Sequence, residues 1–362
     1  MKYKIILITL LFLLTGCYNY RELNDLAIIS AIGIKKDNNI KLTIQVLDTN
    51  DTSPQNKDAN YIIFNTEGKT IQEALRNVMK ESSKRLFINH MQVLIIDEET
   101  AKEGIKEIID FFFRDPESRK QYEVLITNDD IKKVLETDTM LEKINGKNIK
   151  ESIKKNSIFL NNINNITFTD LIKTYLNPNK ELLITSIKID NNRLKLDKTA
   201  IFKEDKLIGY INEEDTKYYN FITNKIDDTL LNIPINNKES TIEVINNKTN
   251  IKTINNNIYI TLNIKATINE INNDFDLKDN KTIKYLEQYY SNYLKNEIEK
   301  SINNIIKQYN SDIYGFKDII YKNNYKYFIN NKITLNDIKI NINTNIKLSH
   351  KGNGDEIIHE KN

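Results

Sequence analysis

Apolar residues in the first part of the chain form short β-type runs divided by polar stretches. Two such runs, 26–34 and 40–48, flank the polar residues Lys35–Asn39 and predict a β-hairpin. Residues 51–60 are polar and contain Pro54, so they predict a loop, and residues 61–66 predict a third strand.

After residue 66 the pattern alternates between helices and strands. Thr70 and Glu73 have the spacing of a capping box, in which the two side chains bond free N–H groups at a helix start. The helix that follows has one apolar face: Ile71, Ala74, Leu75, Val78 and Met79. Strands predicted at 91–96 and 121–126 flank a helix predicted over 98–113, whose inward residues are Ala101, Ile105, Ile108, Ile109 and Phe112. Strands separated by helices of this length predict α/β units with a partly parallel sheet.

The second half has longer strands. Residues 194–211 predict two short strands around a Glu204-Asp205 turn, and residues 258–268 and 338–348 alternate strictly between apolar and polar positions. Between these two runs lies an amphipathic helix over 281–309, whose apolar stripe is Ile283, Leu286, Tyr290, Leu294, Ile298, Ile302, Ile305 and Tyr309. Long alternating strands with one long helix indicate an antiparallel sheet that carries its helix on one side.

The predicted fold class is therefore α+β (mixed α/β). It has an N-terminal mixed sheet with helices, and a C-terminal unit of long antiparallel strands packed with one long helix. Pro178 indicates a boundary. The predicted division is a signal peptide over 1–16, an α/β domain over 17–180, a middle segment with a short hairpin (a candidate small domain) over 181–240, a sheet-and-helix domain over 241–350, and a polar tail over 351–362.

The beginning of the chain has the pattern of a secretory signal. Lys2 and Lys4 precede an apolar and hydroxyl stretch over 5–15, and the first acidic residue is Glu22. A helix across a bilayer needs about 20 apolar residues, so this stretch is too short to span a membrane.

The residues Leu14-Thr15-Gly16-Cys17 resemble the lipobox of bacterial lipoproteins. That resemblance implies cleavage after Gly16, an S-diacylglycerol on the Cys17 thiol and N-acylation of the new amino terminus. An ordinary signal peptide with a chance cysteine is the alternative. Cys17 is the only cysteine and stands at the required position, which favours the lipoprotein. Two or more acyl chains hold a protein stably on a bilayer, so we expect an anchored chain that does not cross the membrane.

The charge balance and the cysteine count exclude some classes of protein. Removal of Lys2 and Lys4 from the 52 basic side chains leaves 50, which equals the 50 acidic side chains. A balanced chain without a basic run is not expected to bind nucleic acid. With Cys17 lipidated no thiol is left, so disulfides do not stabilise the exported protein.

Several motifs, in order along nearly the whole mature chain, resemble the Ger(x)C lipoproteins, the C subunits of GerA-type spore germinant receptors. The motifs are residues 16–34 (GCYNYRELNDLAIISAIGI), Gly68-Lys69-Thr70 with Glu73-Ala74, Leu86-Phe87 to His90, Ala101 to Gly104 with Phe113-Arg114-Asp115, residues 199–202 (TAIF) with 206–209 (KLIG), and residues 312–316 (DIYGF). Tyr18 and Asn19 replace the family's usual Trp-Asp, and Lys198 stands in place of a glycine.

The resemblance implies a lipid-anchored subunit on the outer face of the spore inner membrane. It would assemble there with a multi-pass A subunit and a permease-like B subunit, and nutrients sensed by the complex would start germination. Contact with the nutrient could be made by this subunit or by another member of the complex. The alternative is a solute-binding lipoprotein of a transporter, which would have two similar lobes around a cleft. A cell-wall hydrolase or its adaptor is a third option, and it would need a cluster of acidic residues in a cleft.

The sequence contains no motif for catalysis, for a cofactor or for a metal. The three histidines are His90, His350 and His359, and no zinc spacing can be built from them. We therefore predict a non-enzymatic protein.

Two features leave a structural and a functional interpretation open. Arg114 and Asp115 follow an apolar helix end, and they either form a surface ion pair at that end or contact another receptor subunit. The tyrosines of 285–327 either pack in the core or form a face that binds glycan or peptide.

Overall fold

A computed structural model describes residues 25–48, 61–271 and 275–349. The predictions for the signal peptide, for Cys17, for the loop over 51–60 and for the polar tail lie outside these residues.

The first sheet has nine strands in the order β3-β2-β1-β5-β6-β7-β8-β9, and the short β4 pairs with β1. Strands β1, β5, β6 and β7 are mutually parallel, whereas β2 and β3 on one side and β8 and β9 on the other run antiparallel to their neighbours. The predicted hairpin and the partly parallel sheet are confirmed. The strands are β1 Leu26–Lys36, β2 Ile40–Leu47, β3 Tyr61–Gly68, β4 Arg85–Phe87, β5 Val93–Asp97, β6 Glu123–Thr127, β7 Leu183–Asp190, β8 Arg193–Lys203 and β9 Lys206–Ile211.

Helices cover both faces of this sheet because successive side chains of a buried strand point to opposite sides. Ile32 and Leu94 pack in the larger core with helices α1, α2, α3 and α6. Ala31 and Val93, each one residue earlier in its strand, pack on the other face with α4 and α5. The helices are α1 Ile71–Asn77, α2 Glu98–Glu103, α3 Lys106–Arg114, α4 Ile131–Glu136, α5 Asn145–Phe159 and α6 Phe168–Tyr175.

The helix predicted over 98–113 is two helices, which is a correction. The break falls at Gly104, whose backbone has φ 134° and ψ 143°, a conformation that is essentially confined to glycine. The five inward residues predicted for this segment are nevertheless all buried. The apolar residues keep their helical spacing on both sides of Gly104. The sequence pattern therefore does not reveal the break.

Two details of α1 also differ from the prediction. Thr70 Oγ1 accepts the N–H of Glu73 at 3.1 Å as expected, but the Glu73 carboxylate accepts the N–H of Lys69 rather than that of Thr70. Met79 is exposed, because α1 ends at Asn77 and the chain continues as a 3₁₀ turn, Val78–Lys80.

The second sheet has four strands in the order β10-β11-β12-β13. The strands are β10 Thr229–Ile235, β11 Lys238–Ile254, β12 Asn257–Glu270 and β13 Lys339–Leu348, and the remaining helices are α7 Glu213–Ile222, α8 Asn280–Tyr309, α9 Phe316–Asn323 and α10 Tyr325–Asn331. Six of the eight residues predicted for the α8 stripe are buried, from Leu286 to Ile305. The predicted mixed α/β class, with long strands packed against one long helix, is confirmed.

One strand of this sheet has the opposite direction to the prediction. Strands β10, β11 and β12 are antiparallel, but β13 is parallel to β12, with Ile258 beside Ile340. The 30 residues of α8 rise about 45 Å and return the chain toward the end of the sheet where β12 began. β13 starts from that end and therefore runs parallel to β12.

The segment predicted as a middle domain over 181–240 contributes to both sheets. Strands β7, β8 and β9 belong to the first sheet, and β10 begins the second. How the chain divides into independently folding domains stays a prediction.

A short segment after α8 joins the two sheets. The backbone carbonyl of Asp312 accepts the N–H of Glu181 at 3.1 Å, just before β7, and Ser311 Oγ donates to the carbonyl of Phe202 in β8. The buried Asp312 carboxylate accepts the N–H groups of Phe316 and Lys317 at 2.9 and 2.8 Å and so caps α9. This arrangement gives a structural role to the DIYGF motif.

Candidate subunit-docking site

The described chain begins at the edge of the first sheet that is formed by the first residues of its parallel strands. Asp25 is exposed, and Leu26, the first residue of β1, pairs in parallel with Arg85 of β4. Cys17 lies eight residues before Asp25 in the sequence, and eight extended residues reach at most about 28 Å. If Cys17 carries lipid, this edge lies within that distance of the bilayer. Cys17 itself is outside the described residues, so its lipidation stays a prediction.

A groove with a volume of about 910 Å³ lies beside this edge, between α1, β4 and the end of α3. Its lining is mostly charged, with Phe111 as an apolar residue, and includes Arg85, Asp110, Arg114, Asp115 and Glu117. Arg114 and Asp115, the two residues predicted as a candidate subunit contact, therefore lie together in a charged groove.

Arg114 is the last residue of α3, and its side chain is three-quarters exposed. Its Nε lies 2.8 and 2.9 Å from the two carboxylate oxygens of Asp110, one helical turn earlier. The ion pair predicted at the helix end is thus made with Asp110 and not with Asp115. An exposed pair of this kind contributes under about 1 kcal/mol to stability.

Asp115 has a different role. Its Oδ1 accepts the N–H of Glu117 at 2.7 Å, and this bond shapes the turn that follows α3. The turn places the Glu117 carboxylate 2.7 Å from Arg85. The groove therefore contains two ion pairs side by side, each with exposed hydrogen-bonding groups that a partner could use.

An aromatic residue lies next to the groove in sequence. Phe113 is half exposed, and the Lys120 ammonium group lies 5.7 Å from the centre of its ring. Exposed aromatic and arginine side chains are typical of protein interfaces, because they combine apolar area with hydrogen-bond donors.

Sequence analysis missed three of the residues that form the groove's ion pairs, Asp110, Arg85 and Glu117. The Asp110–Arg114 pair has the helical i,i+4 spacing and could have been found from the sequence. Arg85 and Glu117 are 32 positions apart in different elements, and no local pattern connects them.

The tyrosines of 285–327 were predicted either to pack in the core or to form a binding face, and the structure contains both buried and exposed ones. Tyr290 and Tyr314 are buried, and the Tyr290 hydroxyl lies 2.6 Å from Ser240 Oγ. Tyr285, Tyr321 and Tyr325 are exposed. Core packing therefore explains some of these residues, and a surface role stays open for the others.

Glu123 is a buried acid close to the same edge of the sheet. It is only 6% exposed at the start of β6, and its Oε2 has no hydrogen-bond partner among the described residues. Burial raises the pKa of the Glu123 carboxyl to about 7, although the positive charge of Lys150 acts in the opposite direction.

The described residues carry neither a metal-binding cluster nor a membrane-spanning helix. Over 25–48, 61–271 and 275–349, histidine and acidic side chains form no group of three that could hold a metal ion. In the same part of the chain, we find no helix with the length and apolar character needed to cross a bilayer.

Comparison with protein families assigns both halves of the chain to spore germination proteins. Residues 19–189 match the family model described as spore germination protein N-terminal domain. Residues 197–352 match the model described as spore germination B3/GerAC like, C-terminal. The gap between the two matches, residues 190–196, covers the last residue of β7, the turn and the first residues of β8.

Individual proteins agree with this assignment. The chain is 26% identical over 346 residues to spore germination protein KC of Bacillus subtilis, covering 85% of this chain and 84% of that protein. It is 20% identical to spore germination protein B3 of the same organism, covering 84% of each chain. The crystal structure of the GerBC protein has the same fold, with a TM-score of 0.57 and 17% identity over 88% of this chain and 96% of that one.

The resemblance inferred from the motifs is thus confirmed by two family models that together span nearly all of the chain after residue 18. The chain belongs to the GerAC-like family of spore germination proteins.

Proposed function

We propose that this protein is the lipid-anchored C subunit of a spore germinant receptor. The observation that carries the proposal is the match of both halves of the chain to germination-protein families, in the same order and over nearly the full length. Relatives named spore germination proteins B3 and A3 support a role in a complex with other subunits.

In this proposal the protein is anchored through Cys17 on the outer face of the spore inner membrane, next to membrane-embedded A and B subunits. The anchor confines the protein to two dimensions and raises its effective concentration near these partners, so that modest contacts suffice for assembly. The short distance in sequence between Cys17 and Asp25 keeps the groove around Arg114 close to the bilayer, where membrane-embedded partners would be.

In this proposal the protein acts through assembly with its partners. Two of the groove acids, Asp110 and Glu117, are each paired with an arginine. A hydrolase that uses two carboxylates would need a pair facing a cleft without such neutralisation.

The structure gives little support to a solute-binding lipoprotein. Such a protein would have two similar lobes with a cleft between them. Here the nine-stranded sheet and the four-stranded sheet differ in strand order and in helix arrangement. Isothermal titration calorimetry of the purified protein with nutrients tests this alternative, and saturable binding of one nutrient would favour it.

The anchor is tested with spores that carry Cys17→Ala. We expect the protein to leave the membrane fraction in immunoblots, and nutrient-triggered release of dipicolinic acid to fall with it. Spores with the wild-type gene and spores with a full deletion are the two references. Normal release in the deletion strain for every nutrient would contradict the proposed function.

The groove is tested separately with Arg114→Glu. We expect normal membrane retention and normal protein level, but reduced co-purification with the A and B subunits after mild cross-linking. Arg193→Glu is the matched control, since Arg193 is exposed at the opposite end of the parallel strands, where β8 begins. Equal co-purification of the two variants would show that Arg114 does not contribute to the docking site.

A further inference from the structure

A cluster of exposed apolar side chains lies at one end of the second sheet, where the β11–β12 turn meets α9 and α10. We call it the tyrosine–lysine surface. Its apolar members are between 36% and 62% exposed: Ile254, Tyr259, Tyr321, Tyr325 and Ile329. A groove of about 720 Å³ connects the strand residues Ile254 and Tyr259 with Asn323 and Asn324, at the junction of the two helices. Ile254 and Tyr259 therefore border the junction of the two helices that carry Tyr321, Tyr325 and Ile329.

The aromatic rings of this surface hold one another in place. The Tyr321 ring lies 5.2 Å from Tyr325 and 5.6 Å from Phe328, both in edge-to-face geometry. Asn323 donates to Thr253 Oγ1 at 3.2 Å and fixes the helices to the strand turn. These contacts connect the two helices with the strand turn.

Lysines flank the members of this surface along the chain. Lys252, Lys326 and Lys332 are exposed, and within the described ranges none of them forms an ion pair. The acidic residues between 316 and 339 are Asp318, which pairs with Lys322 at 2.7 Å, and Asp337, which bonds Thr334. The uncompensated charge of the surface is therefore positive.

The position of the surface relates it to the predicted anchor. β1, β5, β6 and β7 are parallel, so their first residues share one edge of the first sheet, and the chain enters at that edge through Leu26. The bond from Glu181 N–H to the carbonyl of Asp312 places the start of α9 at the same edge. The helices that carry the surface therefore begin on the side of the molecule where the described chain starts, at Asp25.

We infer that the tyrosine–lysine surface docks on the negatively charged headgroups of the bilayer that holds the Cys17 anchor. Tyrosine favours the boundary between lipid and water because its ring is apolar and its hydroxyl forms hydrogen bonds. Lysines near an anionic leaflet are attracted within about one Debye length, which is about 8 Å at physiological salt. The inference rests on the proposed function, because it takes the anchor to hold the protein at a membrane.

The absence of tryptophan from the chain allows a direct test. Tyr325→Trp places a single fluorescent reporter in the surface, and Ile329→Trp provides a second one. Tyr285→Trp is the matched control, because Tyr285 is also about half exposed but lies near Phe275 and Tyr289. Tyr289 bonds Pro234 at the β10–β11 turn, and the full 17-residue length of β11 separates that turn from Ile254.

The lipid-modified protein is reconstituted on neutral phosphatidylcholine vesicles and on vesicles that also contain phosphatidylglycerol, with brominated acyl chains as quencher. We expect both surface reporters to shift to the blue and to be quenched about twofold on anionic vesicles only, while the control reporter stays unchanged. Lys326→Gln together with Lys332→Gln should lower the docked fraction by about an order of magnitude, and so should high salt.

Unchanged emission of both surface reporters on both kinds of vesicle would overturn the inference. A shift that appears only after the A and B subunits are added would also overturn it, in favour of a protein partner. Failure of the protein to stay on neutral vesicles would count against the anchor of the proposed function. The anionic vesicles would still decide the docking inference in that case, because attraction by the surface does not require the anchor.

Discussion

Glu123→Gln should make the protein more stable at pH 8 and leave its stability almost unchanged at pH 4.5. Glu123 is buried at the start of β6, with one carboxylate oxygen that lacks a partner among the described residues. Glutamine has nearly the same shape but no charge. The substitution therefore removes the cost of burying a carboxylate and keeps the packing.

The magnitude follows from the pKa of the buried carboxyl group. Burial raises this pKa from its ordinary 4.5 to about 7. A difference of about 2.5 units at 1.36 kcal/mol each corresponds to about 3 kcal/mol. Between these two values the folded protein holds a proton that the unfolded chain releases, so folding stability falls as the pH rises through this window. The full cost is present above pH 7 and absent below pH 4.5.

Urea and thermal denaturation of the wild-type protein and of Glu123→Gln at pH 4.5, 6 and 8 measure this effect. The variant should gain about 3 kcal/mol over wild type at pH 8, and the difference should shrink steadily toward pH 4.5. Glu151→Gln on α5 is the control, since it makes the same change at an exposed position. A difference between Glu123→Gln and wild type that is equal at all three pH values would refute the reasoning.

Two further substitutions test the structure. Asp312→Ala removes the acceptor of two backbone N–H groups at the start of α9 and should lower the free energy of unfolding, measured in urea, by about 3 kcal/mol. Asp312→Asn keeps one acceptor and should lower it clearly less. An equal cost for both would show that the cap does not matter. Gly104→Ala forces a side chain into a backbone with φ 134° and should lower the free energy of unfolding by about 2 kcal/mol. Unchanged thermal stability of this variant would contradict the described break between α2 and α3.

Periodicity predicted the elements whose pattern is long and regular. The strict alternation in β12 and the apolar stripe of α8 fixed the position of both elements and the face that each one buries. The break at Gly104 was not predictable in this way, because Ala101 and Ile105 keep the helical phase on both sides of it. The direction of β13 was not predictable either, since alternation is the same in a parallel and in an antiparallel strand.

The candidate site was only partly predictable, for a related reason. Arg114 and Asp115 are adjacent in sequence and could be recognised together, but the groove also needs Arg85 and Glu117, which folding brings together from distant positions. The separation of buried from exposed tyrosines likewise depends on which helix faces the sheet. Tyr290 and Tyr325 have the same side chain and differ in their surroundings.

The family motifs report the fold more than the contacts with partners, and Gly209 tests this distinction. Gly209 lies in β9 within the KLIG motif, and a Cβ added there would come within 2.3 Å of Tyr309 Cε1. Tyr309 ends α8, and its hydroxyl donates to the carbonyl of Tyr210, so this close approach is part of the contact between the two sheets. Gly209→Ala should therefore cost about 2 kcal/mol of stability by overpacking.

If the distinction holds, Gly209→Ala should show a lower unfolding midpoint in urea and should still co-purify with the receptor subunits at temperatures where it stays folded. Arg114→Glu should behave in the opposite way, with normal stability and weaker assembly. A Gly209→Ala protein of wild-type stability that fails to assemble would place this motif at the interface. The family resemblance would then carry information about partners that we assign here to the fold.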